Sequence, residues 1–144
     1  MREPDSRKDK VDAQYNKRFL KFIRMFASIE TNPKLFPREC RTCGRKFTSL
    51  SKYLRNTLVK GHGLEDCSDV MDGPFTMMYR HCSCGNTLVL SLTAETLPML
   101  DGFWGMLKEE AQKTGKPFLT VVREFSDQCD NFIISNHSRP SDSD

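Results

Sequence analysis

Apolar residues recur every three or four positions between Ala13 and Glu30, and this spacing predicts an amphipathic helix. The proline of "TNP" at 31–33 ends the helix, because a residue that precedes proline avoids helical backbone angles. A helix with a basic side can lie on a membrane surface or an acidic partner, but we expect this one to pack on its own domain. Its apolar side contains Phe19, Leu20, Phe22, Ile23, Met25, Phe26, Ala27 and Ile29.

A second helix is predicted from Thr48 to Lys60, where Thr48 or Ser49 can cap the first turn by accepting a backbone hydrogen bond. Gly61 suits the left-handed conformation that commonly follows the end of a helix. The polar, glycine-containing segment 61–74 is predicted to be a loop. The expected buried side of this helix contains Leu50, Tyr53, Leu54 and Leu58.

Two segments with alternating apolar residues, 75–81 and 86–92, predict a β-hairpin. The sequence "CSCG" lies between the two segments, so the turn of this hairpin carries two thiols. Alternation gives each strand an apolar side, with Phe75, Met77 and Tyr79 on the first strand and Leu88, Leu90 and Leu92 on the second.

Two further helices, from about Pro98 to Thr114 and from about Pro117 to Ile134, predict a helical hairpin. Gly115 ends the first of them, and Pro117 suits the first position of the second. Their apolar stripes contain Phe103, Trp104, Leu107 and Ala111 in the first, and Leu119, Val122, Phe125, Cys129, Phe132 and Ile133 in the second.

The chain has 144 residues, which is enough for one domain with its own core. Its longest apolar run falls well short of the ~20 residues that span a bilayer, so we expect no membrane span. The N-terminal segment lacks the hydrophobic stretch of a secretory signal, and we expect a cytoplasmic location. In that reducing compartment, the six cysteines favour metal binding over disulfide formation.

Charge is distributed unevenly along the chain. Residues 1–60 carry a net charge of +10, and residues 61–144 carry −7. A basic half can bind nucleic acid or an acidic partner. Alternatively, the two halves face each other within the fold or pair between subunits, and this second interpretation is the one we favour.

Two pairs of closely spaced cysteines indicate a zinc site. Zinc takes four ligands in a tetrahedron, and a tight turn can bring two thiolates to one ion. Cys40 and Cys43, followed by Gly44, have the usual spacing, whereas the pair Cys82 and Cys84 is one residue shorter. We therefore expect all four cysteines to hold one structural zinc ion, whose binding free energy contributes to folding.

Both cysteine pairs resemble the knuckles of zinc-ribbon and treble-clef proteins, over residues 40–92 at most. This resemblance implies a structural metal and often a binding role, and it names no substrate.

The segment "CRTCGRKFTSLSKYLRNTLVKGH" at 40–62 also resembles a C2H2 zinc finger, from its cysteine pair through Phe47. That resemblance implies a helix that reads the major groove of DNA. It departs from the finger pattern at Asn56, which stands where the first histidine is expected, and at Tyr53, which stands where leucine is expected. His62 would be the second histidine, so this set is one ligand short.

The elements and the cysteines together predict an α+β fold. A small zinc-bound β-hairpin unit with one helix, at about 38–92, is flanked by the N-terminal helix and by the C-terminal helical hairpin at about 98–134. We expect a single zinc-stabilised domain over 13–137, with a disordered arm at 1–12 and a disordered tail at 138–144.

Four other residues bear on the site. His62 and Cys67 are alternative zinc ligands that could replace one member of the shorter pair. His81 could donate a hydrogen bond to a ligand, although an ordinary strand residue is the simpler interpretation. Cys129 lies on an apolar helix side, so we expect a buried thiol without a metal.

Four cysteine ligands would leave no position open for a catalytic water, and HExxH, the P-loop and GxGxxG motifs are absent from the sequence. We therefore expect a protein without enzymatic activity and without a small-molecule substrate. Its long apolar helices favour a regulatory or protein-interaction module that binds a protein partner or forms a homo-oligomer.

Two alternative functions remain open at this point. A thiol redox switch would release zinc when the thiolates are oxidised. Binding of nucleic acid would use the cations near the first cysteine pair, which are Arg41, Arg45, Lys46, Lys52, Arg55 and Lys60.

Overall fold

The computed structural model of the protein describes residues 15–137 and has a mixed α+β fold, as predicted. The predicted arm at 1–12 and tail at 138–144 lie outside the described residues. In chain order the elements are α1 (Lys17–Ala27), β1 (Arg38–Glu39), β2 (Lys46–Phe47), α2 (Leu50–Arg55), β3 (Thr57–Asp66), β4 (Phe75–Cys82), β5 (Thr87–Thr93), α3 (Leu100–Thr114) and α4 (Phe118–Asn136).

The strands of the described chain form two antiparallel sheets. Strands β1 and β2 make a short two-stranded sheet, and the other sheet has the order β3-β4-β5, with β4 in the centre. The predicted hairpin is confirmed as β4 and β5, whose register runs from Phe75–Thr93 to His81–Thr87. Strand β3 was not expected, and it adds a third strand beside β4.

The second predicted helix is wrong beyond Arg55. Helix α2 begins after Ser49, whose side chain accepts a hydrogen bond from the Lys52 amide, and it ends at Arg55. Thr57 then opens β3, and Leu58, which we expected on the buried side of a helix, is 73% exposed. The backbone of this segment pairs with β4 instead, because tertiary pairing overrides a short helical period. The predicted loop at 61–74 is therefore confined to 67–74.

A bulge interrupts the pairing of β3 with β4 between Val59 and Leu64. Gly61 and Gly63 have φ values of 61° and 89° there, so Gly61 is left-handed inside a strand rather than at a helix end. A Cβ atom at Gly63 would lie 2.7 Å from the Ser126 hydroxyl oxygen of α4. Glycine is thus required where the bulge contacts this helix.

The apolar side of α1 packs within the domain, as expected. The ring of Phe26 lies 5.3 Å from that of Phe103 on α3 and 5.5 Å from that of Phe125 on α4, measured between centroids. The Asn16 side chain caps α1 by accepting a hydrogen bond from the Arg18 amide. The helix is therefore shorter than predicted at both ends, because this cap starts it at residue 17 and a turn follows residue 27.

The C-terminal helical hairpin is present with ends close to those predicted. Phe103, Trp104 and Leu107 of α3 are buried as expected, and so is most of the stripe on α4. Leu119 is an exception: it is 49% exposed, whereas Val121, which we did not assign to the stripe, is fully buried. Pro117 precedes α4 as its cap residue instead of occupying its first turn. Within residues 15–137, no helix has the length and apolar character needed to cross a lipid bilayer.

Among the described residues, three ion pairs join cations of the basic first half of the chain to acidic residues of the second half. Arg18 contacts Glu109 at 2.7 Å and Glu110 at 3.1 Å, and Lys34 contacts Glu95 at 2.8 Å. The two halves therefore face each other at these points, as the charge distribution suggested. The Lys34–Glu95 pair is exposed on both sides, so its contribution to stability is small.

Arg80 is the best-connected buried cation of the described chain. Its side chain is 5% exposed and donates to the Asp130 carboxylate at 2.7 Å and to the Thr57 hydroxyl at 2.6 Å. It also donates to the backbone carbonyls of Leu54 and Thr57, each at 3.0 Å. One guanidinium thus ties β4 to the end of α2, to the start of β3 and to α4.

Replacement of Arg80 by methionine should lower the free energy of unfolding by about 3–5 kcal/mol, because Asp130 and two carbonyls would lose their buried donor. Urea denaturation followed by circular dichroism measures this loss. Lys116→Met removes the partly exposed Lys116–Glu124 pair and should change the midpoint little. Equal midpoints for both variants would contradict the role assigned to Arg80.

Candidate metal centre

The thiols of Cys40, Cys43, Cys82 and Cys84 converge, and their sulfur atoms all lie within 4.8 Å of one another. The Sγ atoms of Cys40 and Cys84 are 3.6 Å apart, as are those of Cys43 and Cys82. A tetrahedral ion with metal–sulfur bonds of about 2.3 Å would separate its sulfurs by ~3.8 Å. This four-cysteine cluster therefore has the dimensions and the donor atoms of a tetrathiolate metal site, and its cysteines are free of disulfide bonds.

The first pair lies in the loop at 40–45, between β1 and β2, called the first loop below. The Cys40 amide donates to the Arg45 carbonyl at 2.9 Å, and the Gly44 amide donates back to the Cys40 carbonyl at 2.7 Å. Gly44 has a φ of 79°, a left-handed conformation that suits glycine. These bonds fold the loop tightly enough to bring two thiols to one point.

The second pair lies in the turn between β4 and β5, called the second loop below. The Cys82 amide donates to the Asn86 carbonyl at 2.9 Å, and the Gly85 amide donates to the Cys82 carbonyl at 2.8 Å. This is the hydrogen-bond plan of the first loop with one residue fewer, and Gly85 again has a positive φ, of 96°. The shorter cysteine spacing is accommodated by a tighter turn.

Strand alternation decides which thiols are buried. The even-numbered positions of β4 from Thr76 to Cys82 face the core, so Cys82 is buried, and Cys40 is buried opposite it. The side-chain amide nitrogen of Asn86, in the second loop, lies 3.6 Å from the Cys40 sulfur and so connects the two loops. Sequence reasoning missed Asn86, and its only signal is its place directly after Gly85 at the tip of the hairpin.

Two thiols of the cluster, those of Cys40 and Cys84, have pKa values shifted in opposite directions. The backbone amide of Cys43, helped by Asn86, lowers the pKa of the Cys40 thiol to about 6 against the opposing effect of burial. The backbone amide of Asn86 lowers the pKa of the Cys84 thiol. Burial and hydrogen bonds with the neighbouring thiols outweigh this effect and raise the pKa of Cys84 to about 11. Thiols this close can become thiolates together only when a cation balances their charge.

The two alternative ligands lie outside the cluster. Strand β3 begins at Thr57, which pairs with Cys82, whereas Cys67 follows its far end and bonds to Phe75. Cys67 is therefore roughly 20 Å from the cluster, at about 3.3 Å per strand residue. His62 belongs to the bulge, where its carbonyl accepts a hydrogen bond from Ser126.

Cys129 and His81 are as the sequence suggested. Cys129 lies in the core on α4, and burial raises the pKa of its thiol well above the usual value. His81 is a partly exposed residue of β4 that pairs with Leu58 and Thr87.

The helix after the first loop does not supply metal ligands. The chain order β1-β2-α2 is that of a zinc finger, but the Asn56 side chain donates to the Lys52 carbonyl at 2.8 Å and ends the helix. The other two thiols of the cluster come from the second loop. Tyr53 packs its ring against Phe47 of β2, with centroids 5.2 Å apart.

The six cations near the first cysteine pair fall into two groups. Arg55 on α2 is partly buried and donates to the His137 carbonyl, and Lys52 is also partly buried. The other four are exposed and have no ion-pair partner within the described chain; they are Arg41, Arg45, Lys46 and Lys60.

Compared with known proteins, the chain matches no protein-family model, and neither curated proteins nor solved structures give a significant match.

Alanine at Gly44 should lower the free energy of unfolding by about 1–2 kcal/mol, because a Cβ atom disfavours the left-handed backbone of the first loop. Space is not the cause, since the nearest atom would be 4.0 Å away. Gly105→Ala in α3 is the matched control and should raise stability by about 0.5–1 kcal/mol, since that glycine is helical. Chemical denaturation of both variants distinguishes the two signs, and a neutral Gly44→Ala would contradict the strained loop.

Proposed function

We propose that the protein is a non-enzymatic zinc-binding protein, in which one structural zinc ion joins the two loops and the folded domain serves as a regulatory or protein-interaction module. The observation that carries this proposal is the four-cysteine cluster, with sulfur separations of 3.6 Å close to those of a tetrahedral site. Four thiolates in this geometry favour zinc over the harder divalent cations.

A zinc ion here would act on the fold. The first loop belongs to the β1–β2 sheet and the second to the β3–β4–β5 sheet, and these are separate sheets. An ion bound between the loops would hold the sheets together and would balance the charge of four thiolates. Its binding free energy would then be folding free energy.

The closed donor set supports a role without catalysis. A catalytic zinc keeps one coordination position for water or substrate, whereas four cysteine ligands fill the tetrahedron. Free thiols with a metal role also suit a reducing compartment, such as the cytoplasm.

Binding of nucleic acid is the second candidate, because the four exposed cations Arg41, Arg45, Lys46 and Lys60 lack ion-pair partners among residues 15–137. Such binding would weaken steeply with added salt as phosphate counterions are released. Fluorescence anisotropy of labelled oligonucleotides at two salt concentrations tests it. The redox switch also stays a hypothesis, and reversible release of zinc at low peroxide concentration is its test.

Serine at any one of Cys40, Cys43, Cys82 or Cys84 should abolish stoichiometric zinc binding and cooperative unfolding. The matched control is Cys67→Ser, which makes the same chemical change outside the cluster and should keep one zinc per chain. Elemental analysis with native mass spectrometry measures the zinc content, and thermal denaturation with and without a chelator measures its effect on stability.

Two results would contradict the proposal. If wild-type protein purified without chelators contains no zinc, the cluster is not a zinc site. A Cys84→Ser variant that keeps full zinc and full stability would remove Cys84 from the ligand set and open the site.

A further inference from the structure

Asn86 is the last residue of the second loop, and it contacts three of the four cysteines. Its carbonyl accepts a hydrogen bond from the Cys82 amide at 2.9 Å. Its backbone amide donates to the Cys84 sulfur. Its side-chain amide nitrogen lies 3.6 Å from the sulfur of Cys40, which belongs to the first loop. Asn86 is therefore part of the cluster's surroundings although it supplies no sulfur.

The third of these contacts crosses from one loop to the other. The first loop joins β1 to β2 and the second joins β4 to β5, so the two loops belong to separate sheets. The sulfurs of Cys40 and Cys84 are 3.6 Å apart, and Asn86 donates to both of them. Asn86 thus connects the loops through the protein's own atoms, at a point where a thiol of one loop meets a thiol of the other.

Cys40 is a thiol that depends on donors from the protein. Its exposed fraction is 0%, so solvent does not reach the sulfur, whereas Cys43 and Cys84 are exposed. The backbone amides of Cys43 and Thr42 also donate to the Cys40 sulfur. Hydrogen bonds to an ionised acceptor are about twice as strong as those between neutral groups, and a buried charge is costly without them. Of the three donors to Cys40, Asn86 is the one that uses a side chain and the one that comes from the other loop.

The orientation of the Asn86 amide follows from the chemistry of its neighbour. With the nitrogen toward Cys40, an N–H group faces a sulfur acceptor, whereas the reverse orientation would bring an amide oxygen against that acceptor. Sulfur is larger than oxygen, so a hydrogen bond to sulfur is longer than one to oxygen, and 3.6 Å between nitrogen and sulfur is a contact distance.

The shape of the turn does not by itself require asparagine at this position. Asparagine is common in turns partly because it tolerates a left-handed backbone. Here Gly85 has the positive φ, and within the described chain Asn86 is not among the residues with a positive φ. The backbone of Asn86 is held by Cys82 on one side and by the pairing of Thr87 with His81 on the other. Its side chain is therefore free to serve the cluster.

We propose that Asn86 is a positioning residue of the metal centre, whose side-chain amide holds the sulfur of Cys40 against the second loop and donates a hydrogen bond to it when Cys40 acts as a ligand. The inference rests on the zinc role proposed above and adds a fifth residue to the four ligands. Loss of a group that hydrogen-bonds to a metal ligand typically lowers metal affinity by about 10–100-fold.

Substitutions at Asn86 test the side chain while they keep the backbone contacts with Cys82 and Cys84. Asn86→Ala removes the donor, and Asn86→Asp keeps the size of the side chain but places an anion beside the thiolates. We expect the apparent dissociation constant for zinc to rise about tenfold or more in the alanine variant, and further in the aspartate variant. Competition with a chromophoric chelator measures this constant.

Cobalt(II) in place of zinc separates a lost hydrogen bond from a general loss of stability. A hydrogen bond lowers the energy of the sulfur lone pairs, so its loss should move the sulfur-to-cobalt charge-transfer bands to longer wavelength. The shift should be larger for Asn86→Asp, since a carboxylate raises the energy of those lone pairs. Circular dichroism of the same metal-loaded samples checks that the spectra come from folded protein.

Asn131→Asp is the matched control, because it makes the same change at an exposed position of α4. The Asn131 side-chain oxygen accepts a hydrogen bond from the Ser135 hydroxyl, and aspartate keeps that acceptor. The control should match the wild type in zinc affinity and in its cobalt spectrum. Asn86 variants that also match the wild type would overturn the proposal. So would a loss of affinity without any change in the spectrum, because Asn86 would then support only the fold of the loop.

The wild type, measured alongside, distinguishes the two proposals. One zinc per chain in the wild type, together with Asn86 variants of equal affinity, would refute the positioning role and leave the structural zinc intact. A wild type that binds neither zinc nor cobalt would refute the zinc role, and the positioning role with it.

Discussion

Strand β4 is hydrogen-bonded on both sides, and this constraint organises the rest of the molecule. Because successive side chains of a strand point to opposite faces, the pairing of β4 with β3 and β5 decides what each of its eight residues can do. The inner positions end at Cys82, which turns a thiol toward the first loop. Arg80, two residues before Cys82 and on the same face, binds Asp130 and two backbone carbonyls. The core and the candidate metal centre therefore share one strand face.

The cysteine cluster and the Arg80 network lie at the two ends of one junction, and each joins β4 to other elements. Arg80 connects β4 to helices and to β3 through charged hydrogen bonds that are buried and satisfied. The cysteine cluster connects β4 to the first loop, which belongs to a different sheet. Four thiols so close together repel one another as thiolates, so the site is complementary to a divalent cation. A shift of one residue in the register of β4 would turn both Arg80 and Cys82 away from the core.

The side of β4 that points away from the core follows from the same alternation. Phe75, Met77 and Tyr79 form the apolar side that the sequence indicates on β4, yet the structure directs this side to solvent and the side with Thr76 and Arg80 to the core. Met78 packs on the core side of β4. The two polar residues there, Thr76 and Arg80, can be buried because Trp104 and Asp130 are their hydrogen-bond partners. The helices thus cover one side of β4 and leave its other, apolar side partly exposed.

The sequence by itself determined the α+β class, the amphipathic helices and the hairpin that carries the second loop. These depend on local periods and on turn residues such as Gly85 and Gly115, which have positive φ values in the structure. It also identified the four cysteines, since close spacing beside glycine is a local property. Only the tertiary structure decided that residues 57–66 form a strand, because their helical period was short and β4 offered a better backbone partner. Long-range pairing likewise placed Cys67 far from the cluster, brought Asn86 to Cys40, and selected which side of β4 is buried.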